Sequence, residues 1–242
     1  MTPQAALTTP ANGSEKYASS PENLATTFEN RDIPRYHEQL ERLNQGDVDL
    51  LWVGDSITHF WETEGKAVWD KYYGGRKAMN FGVSGDRTGH VLWRMANSPM
   101  EKISPKLTIV LIGTNNVEHT KPDSDEMHST PEETVEGIQM IVNRLLELYP
   151  KTKILLHAVF PREEQTYDFL RICVDEINQG LEKIYADGAV DRVRLYDIGA
   201  LFLNVNGILS AQIMSDFVHP TERGYEIWAR AVEPIIREAL GN

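Results

Sequence analysis

The sequence predicts an α/β domain of three layers, with a five-stranded, mostly parallel sheet flanked by helices. Three observations carry this expectation. Five short, nearly continuous apolar runs recur along the chain, as expected of strands covered on both faces. Longer segments of helical period lie between them. Several of the runs end in turns rich in Gly, Asp, Ser or Asn, the residues that stop a strand.

The elements follow in order. Residues 1–30 form a polar arm rich in Ala, Thr, Ser, Asn and Pro, and the domain is taken as 31–242. A helix is expected over 31–44, before the first strand at 48–53. Helices over 66–73 and 88–96 follow the first and second strands, the second strand being 77–81. The third strand is 107–112. The clearest helix spans 132–149: Thr130 caps it, Pro131 takes the first position, Glu132 and Glu133 enter the first turn, and Pro150 ends it. A fourth strand at 153–160, a helix at 167–185, a fifth strand at 193–198 and a helix at 221–240 complete the set. Pro234 should kink or interrupt that last helix.

A length of 242 residues suits one domain, and 41% hydrophobic residues suffice for a sizeable core. The 24 basic residues against 36 acidic ones give a net charge of −12, which argues against nucleic acid or an anionic membrane surface as partner. A single cysteine, Cys173, excludes an internal disulfide framework and a cysteine-rich zinc site. Its helical, apolar neighbourhood marks it as a buried or half-buried residue. No apolar run approaches the roughly 20 residues of a membrane-spanning helix. The first 27 residues lack the basic start and apolar stretch of a signal peptide, so the chain reads as cytoplasmic as it stands, or as exported after removal of a signal. His119, Asp123, Asp125, Glu126 and His128 match neither an EF-hand loop nor a zincin helix, and a solvated acidic loop is expected there. No metal is expected.

In open α/β sheets, ligands bind beyond the carboxyl ends of the strands. Three motifs stand there: Gly54-Asp55-Ser56-Ile57-Thr58 after the first strand, Asn80-Phe81-Gly82-Val83-Ser84-Gly85-Asp86-Arg87-Thr88 at the end of the second, and Gly113-Thr114-Asn115-Asn116 after the third. A fourth, Asp216-Phe217-Val218-His219, precedes the last helix. Each is weak alone, but together they form a chemical set. A serine hydroxyl needs an adjacent base to become a nucleophile. His219 is the candidate base for Ser56, and Asp216 the candidate acceptor that fixes the imidazole tautomer. Acyl transfer also needs donors aimed at the developing oxyanion. The candidates are the Ser56 and Gly85 amides and the Asn115 side chain.

This set resembles the SGNH/GDSL hydrolase superfamily over essentially the whole chain from about Asp32 to Leu240. The family's nucleophile matches Ser56, its second-block glycine Gly85, its third-block asparagine Asn115, and its Asp-x-x-His pair Asp216 and His219. The stretches 80–88 and 90–94, with Gly-Thr-Asn-Asn, are similar to the platelet-activating-factor acetylhydrolase Ib catalytic-subunit-like branch. The resemblance implies a flavodoxin-like sheet and a serine esterase that releases a small acyl group without a cofactor. It favours O-acetyl groups on carbohydrates as substrate, and it implies homodimerisation. A lipid-directed acetylhydrolase or lysophospholipase, a thioesterase, and a scaffold-binding pseudoenzyme subunit are the alternatives. Two departures are Asn116 where the superfamily more often has Asp, and Ser84 where the mammalian branch members have Gly.

Around the set, Asp55 is expected to hold its own loop, and Asp86 and Arg87 to form a local ion pair or loop hydrogen bonds. Trp61, Trp69 and Trp93 could line a sugar-binding face, although aromatics at helical spacing are more often core. The acidic segment 117–130 could roof the pocket.

Overall fold

The computed structural model describes residues 33–118 and 129–241. The polar arm, and most of the 117–130 segment with its His and acidic residues, lie outside the described residues. The chain begins with α1 (Ile33–Gln45), then β1 (Leu50–Gly54), a short α2 (Ser56–His59) and α3 (Lys66–Tyr72). β2 (Ala78–Gly82), α4 (Thr88–Ala96), β3 (Leu107–Leu111) and α5 (Thr114–Glu118) follow. After them come α6 (Pro131–Leu148), β4 (Lys153–His157), α7 (Phe169–Tyr185), β5 (Val193–Tyr196) and α8 (Glu222–Leu240).

All five strands are parallel and run in the order β2-β1-β3-β4-β5, the flavodoxin-like order. Residues Leu50 to Gly54 are all buried, because β1 lies between two neighbours and under helices on both faces. Alternate side chains leave by opposite faces. Leu51, Val53, Val110, Ile154 and Leu156 pack with α4, α6 and α7. Leu50, Trp52, Ile109 and Leu155 pack with α3 and α8. The result is the three-layer arrangement expected.

The second face is built from aromatics. Trp52 meets Trp61 edge-on at 5.4 Å and Trp228 at 5.3 Å, and Trp69 and Tyr73 complete the cluster. Trp61 is fully buried, and Trp69 is half-buried and packed against this core. Trp93 is half-buried against Tyr36. Beneath the cluster the buried His157 accepts a hydrogen bond from the Trp228 indole at 2.9 Å, and its Nδ1 lies 3.1 Å from the Tyr196 carbonyl. That pairing assigns the proton to Nδ1. Burial pushes the imidazole down to about 4.

Helix boundaries follow the local signals. At α6 the Thr130 hydroxyl accepts from the Glu133 amide while the Glu133 carboxylate accepts from the Thr130 amide, a reciprocal cap that Pro131 extends. Pro234 does not interrupt α8, which runs unbroken to Leu240. Its flanking turns, with Val232 and Ile236 wholly buried, are held by packing. The fourth strand is shorter than expected. Pairing ends at His157, and Val159 leaves the sheet with its amide and carbonyl taken up by the Asn178 side chain of α7. Cys173 is buried, as its neighbourhood indicates.

The free edge of β2 is covered by side chains instead of a strand. Gln39 donates to the Gly82 carbonyl at 2.9 Å, and Arg35 reaches the carbonyls of Gly82 and Asn80. Arg35 and Gln39 occupy the buried face of α1 four residues apart, so this helix docks by polar groups as well as by Leu43.

Candidate active site

The first strand ends at Gly54 because only a glycine fits there: a Cβ would overlap the Thr58 side chain and the Leu111 carbonyl of the neighbouring strand. The chain then turns sharply into α2. Asp55 caps that turn, its Oδ1 accepting from the Ile57 amide at 2.9 Å, so it holds its own loop as expected. Ser56 opens the helix and is 4% exposed. Four residues of helix are far too few to persist alone. Their last carbonyls are met from two distant elements: Asn80 of β2 donates to Thr58 at 2.8 Å, and the buried Tyr225 hydroxyl of α8 donates to Ile57 at 2.8 Å. Neither Asn80 nor Tyr225 is singled out as a site residue by the motifs, although Asn80 opens the second one.

His219 arrives on the loop before α8. Its Nε2 lies 2.8 Å from the Ser56 Oγ and its Nδ1 2.6 Å from Asp216 Oδ2. Asp216 Oδ1 also accepts from the amides of Val218 and His219 at 3.1 and 2.8 Å, which shapes the loop from within. With Nδ1–H donating to the carboxylate, Nε2 is left as an acceptor for the serine proton. Partial burial raises the Asp216 carboxyl, but the His219 side chain and the two amides outweigh it, and the group sits below the usual carboxylate range. The dyad is near the surface: the side chains of His219 and Asp216 are 26% and 55% exposed. The Phe60 ring packs on the His219 imidazole, centroids 4.9 Å apart.

The second and third motifs meet each other. Gly85 takes a φ of 75°, a backbone region that side-chain-bearing residues enter only with strain. Next to it, the Asp86 carbonyl accepts from the Asn115 side-chain amide at 2.8 Å. One of the two Asn115 N–H groups is thereby used to fix the amide plane. Asn116 is structural: its Oδ1 accepts from the Thr88 amide at 3.1 Å and its Nδ2 donates to the Thr88 hydroxyl at 3.0 Å.

Asp86 does not pair with Arg87. Its carboxylate accepts from Arg94 Nε at 2.8 Å, and both side chains are wholly buried. A buried carboxylate that keeps its charge needs a buried partner, and Arg94 faces the sheet from α4. The guanidinium also donates to the Gln39 side chain at 3.1 Å and stands 4.2 Å over the Phe81 ring. A charged residue on the apolar stripe of Val91 and Met95 was the one sequence signal for it. Among the described residues no such cation is bonded to Asp55. Complete burial, aided by Asp86, pushes its carboxyl up to about 7, against the lowering pull of the Ile57 amide and Arg162.

The structure therefore brings Ser56, His219 and Asp216 into one hydrogen-bonded line and joins the Gly85 and Asn115 loops through Asp86. A groove of about 910 Å³ lies elsewhere, between α7 and the free edge of β5, and none of the expected site residues lines it. Among the described residues no cluster of His, Cys, Asp and Glu could hold a metal ion, and no helix is long and apolar enough to cross a membrane.

A model of the GDSL-like lipase/acylhydrolase family matches residues 52–227, which include Ser56, Gly85, Asn115, Asp216 and His219. The chain is 34% identical to platelet-activating factor acetylhydrolase IB subunit alpha2 of Rattus norvegicus over 194 residues, 80% of this chain and 78% of that protein. Among solved structures, an acetylxylan esterase of Geobacillus stearothermophilus has a TM-score of 0.62 at 22% identity, covering 77% of this chain and 93% of its own. A GDSL-like lipase of Bacteroides thetaiotaomicron has a TM-score of 0.60 at 21% identity, covering 78% and 88%. The two structural likenesses establish the fold, and the family match with the rat relative establishes descent. On these grounds the chain belongs to the GDSL-like lipase/acylhydrolase family and is an ester hydrolase.

Proposed function

We propose that this protein is a serine esterase that removes acetyl groups, with O-acetylated carbohydrate as the favoured substrate, through an acyl-enzyme on Ser56. The observation that carries the reading is the continuous line Asp216–His219–Ser56, at 2.6 and 2.8 Å. The Ser56 oxygen attacks the ester carbonyl carbon as its proton passes to His219 Nε2. The carbonyl oxygen becomes an oxyanion between the amides of Ser56 and Gly85 and the second N–H of Asn115. Collapse breaks the bond to the alcohol, which leaves with the proton from His219. A water then gives its proton to Nε2 and attacks the acyl-serine, and the Ser56 oxygen recovers that proton as the acid departs.

The acyl half of the substrate rests on the names of the relatives: a platelet-activating factor acetylhydrolase subunit and an acetylxylan esterase share the acetyl group and differ in the alcohol. A net charge of −12 disfavours polyanionic substrates and suits a neutral ester. The second reading, an acetylhydrolase acting on a lipid ester, is favoured by the 34% identity to the rat subunit.

The test is hydrolysis of acetylated sugars, acetylated xylan, a lipid acetyl ester and an acyl-chain series, with Ser56→Ala as blank. Preference for acetyl over butyryl on sugar carriers supports the first reading, and preference for the lipid ester supports the second. Undiminished turnover by Ser56→Ala would sink both.

A further inference from the structure

Between β4 and α7 the chain turns through Arg162 and Glu163, which belong to none of the four motifs. Arg162 is 4% exposed, and its Nη1 donates to the Thr114 carbonyl at 2.9 Å, directly before Asn115. One residue on, the Glu163 amide donates to the Phe217 carbonyl at 2.8 Å, inside the loop that carries Asp216 and His219. The turn thus touches the Asn115 loop on one side and the His219 loop on the other. Both residues of the second contact are strained: Glu163 and Phe217 each take a φ of 61°. A bulky aromatic in the left-handed region persists only where its surroundings over-determine it.

Arg171, in the first turn of α7, supplies that constraint. It is 3% exposed. Its Nε donates to the Arg162 carbonyl at 2.6 Å, its Nη2 to the Glu163 carbonyl at 2.7 Å and its Nη1 to the Gly207 carbonyl at 3.3 Å. All of these bonds go to backbone, and only the planar guanidinium fork offers donors in such divergent directions from one side chain.

We propose that Arg171 is a positioning residue for the hydrolytic site: by fixing the two carbonyls of the 162–163 turn, it makes that turn a brace between the Asn115 loop and the Asp216–His219 loop. The proposal rests on the catalytic reading of Ser56, His219 and Asn115. The reacting groups must hold their mutual geometry through both acyl transfers, and a displacement of about 1 Å can cost about 100-fold in rate. Because the brace acts on the catalytic groups and not on the bound ester, its loss falls on kcat with little change in KM.

The experiment compares wild type, Arg171→Lys, Arg171→Met and Ser56→Ala in the full chain. It measures acetyl-ester kinetics, the NMR resonance of the His219 Nδ1 proton without substrate, and thermal unfolding. Lysine keeps the charge but cannot span the three carbonyls. The expected result is a kcat about tenfold lower for Arg171→Lys, and up to about 100-fold lower for Arg171→Met, with KM within about twofold. The His219 proton signal should broaden or move upfield in both variants while they stay folded. A folded Arg171→Lys with wild-type kcat and an unmoved His219 resonance overturns the brace, even if its melting temperature falls. If Arg171→Met does not fold, the lysine variant decides alone. Full activity in Ser56→Ala would instead remove the catalytic reading, a result separate from any change in the His219 signal.

Discussion

His219 Nε2 lies 2.8 Å from Ser56 Oγ although 163 residues separate them in the chain. The contact forms because β1 ends inside the sheet, between β2 and β3, while α8 packs against it through Trp228 and Val232, bringing the preceding loop over the strand's carboxyl end. His219 is oriented from one side by Asp216 and from another by the Phe60 ring. Asp216→Asn should lower kcat by about 100-fold, the low end of the range for acid–base groups, since water can reach so exposed a carboxylate and replace part of its effect. Steady-state kinetics with an acetyl ester check this, and a loss under about threefold would remove Asp216 from the proton path.

Asn115 has one amide proton committed to the Asp86 carbonyl. On the proposed oxyanion role, Asn115→Ala should reduce kcat by about 10²–10³-fold with KM close to wild type. An equal rise in KM with unchanged kcat would place Asn115 in ground-state binding instead.

The Arg94–Asp86 pair lies wholly inside the protein. Arg94→Met alone strands the Asp86 charge and should cost about 3–5 kcal/mol in urea unfolding. Adding Asp86→Asn should restore a large part of that loss. If the double variant is as unstable as the sum of both single changes, the two side chains do not act as a pair.

His157 is held neutral, with its imidazole pushed down to about 4 by burial. An unfolded histidine titrates near 6.5, so between about pH 6.5 and 4 the unfolded chain binds the extra proton and stability falls as pH falls. The contribution is roughly 3 kcal/mol at full effect. His157→Gln offers the Trp228 indole an acceptor and carries no titrating group. The stability gap between wild type and this variant should therefore move in the variant's favour on acidification, measured by urea unfolding from pH 7 to 4.

Asp55 works in the opposite direction. Its carboxyl is raised to about 7, so the folded state holds a proton that the unfolded chain releases near 3.9. Stability present at pH 4 is lost as pH rises through about 7. Asp55→Asn keeps an oxygen for the Ile57 amide without the charge, and its unfolding midpoint should gain on wild type between pH 5 and 8. A gap that does not change with pH would contradict a proton on Asp55.

Much of the architecture was legible because strands and helices answer to short-range periodicity. The run from Leu50 to Val53 is apolar throughout, and Thr130-Pro131-Glu132-Glu133 announces a helix start within four residues. The limits of such reading are equally local. The apolar run through Phe160 looked like strand, yet Asn178, from a helix later in the chain, takes the Val159 backbone out of the ladder. Pro234 looked like a break, yet the packed turns around it carry α8 through.

The sequence by itself determined the fold class, the order of its elements and the residue types of the site, since Ser56, Asn115 and the Asp216–His219 pair stand where strands or loops end. Only the tertiary structure decided what surrounds them. It paired Asp86 with Arg94 instead of its neighbour Arg87, set Tyr225 and Asn80 under the turn that carries Ser56, and placed Arg171 on the backbone of a turn that no motif marks. The physical reason is that a buried charge or carbonyl must be satisfied by whatever donor packing brings to it. That donor is chosen in space, among residues that can be anywhere along the chain.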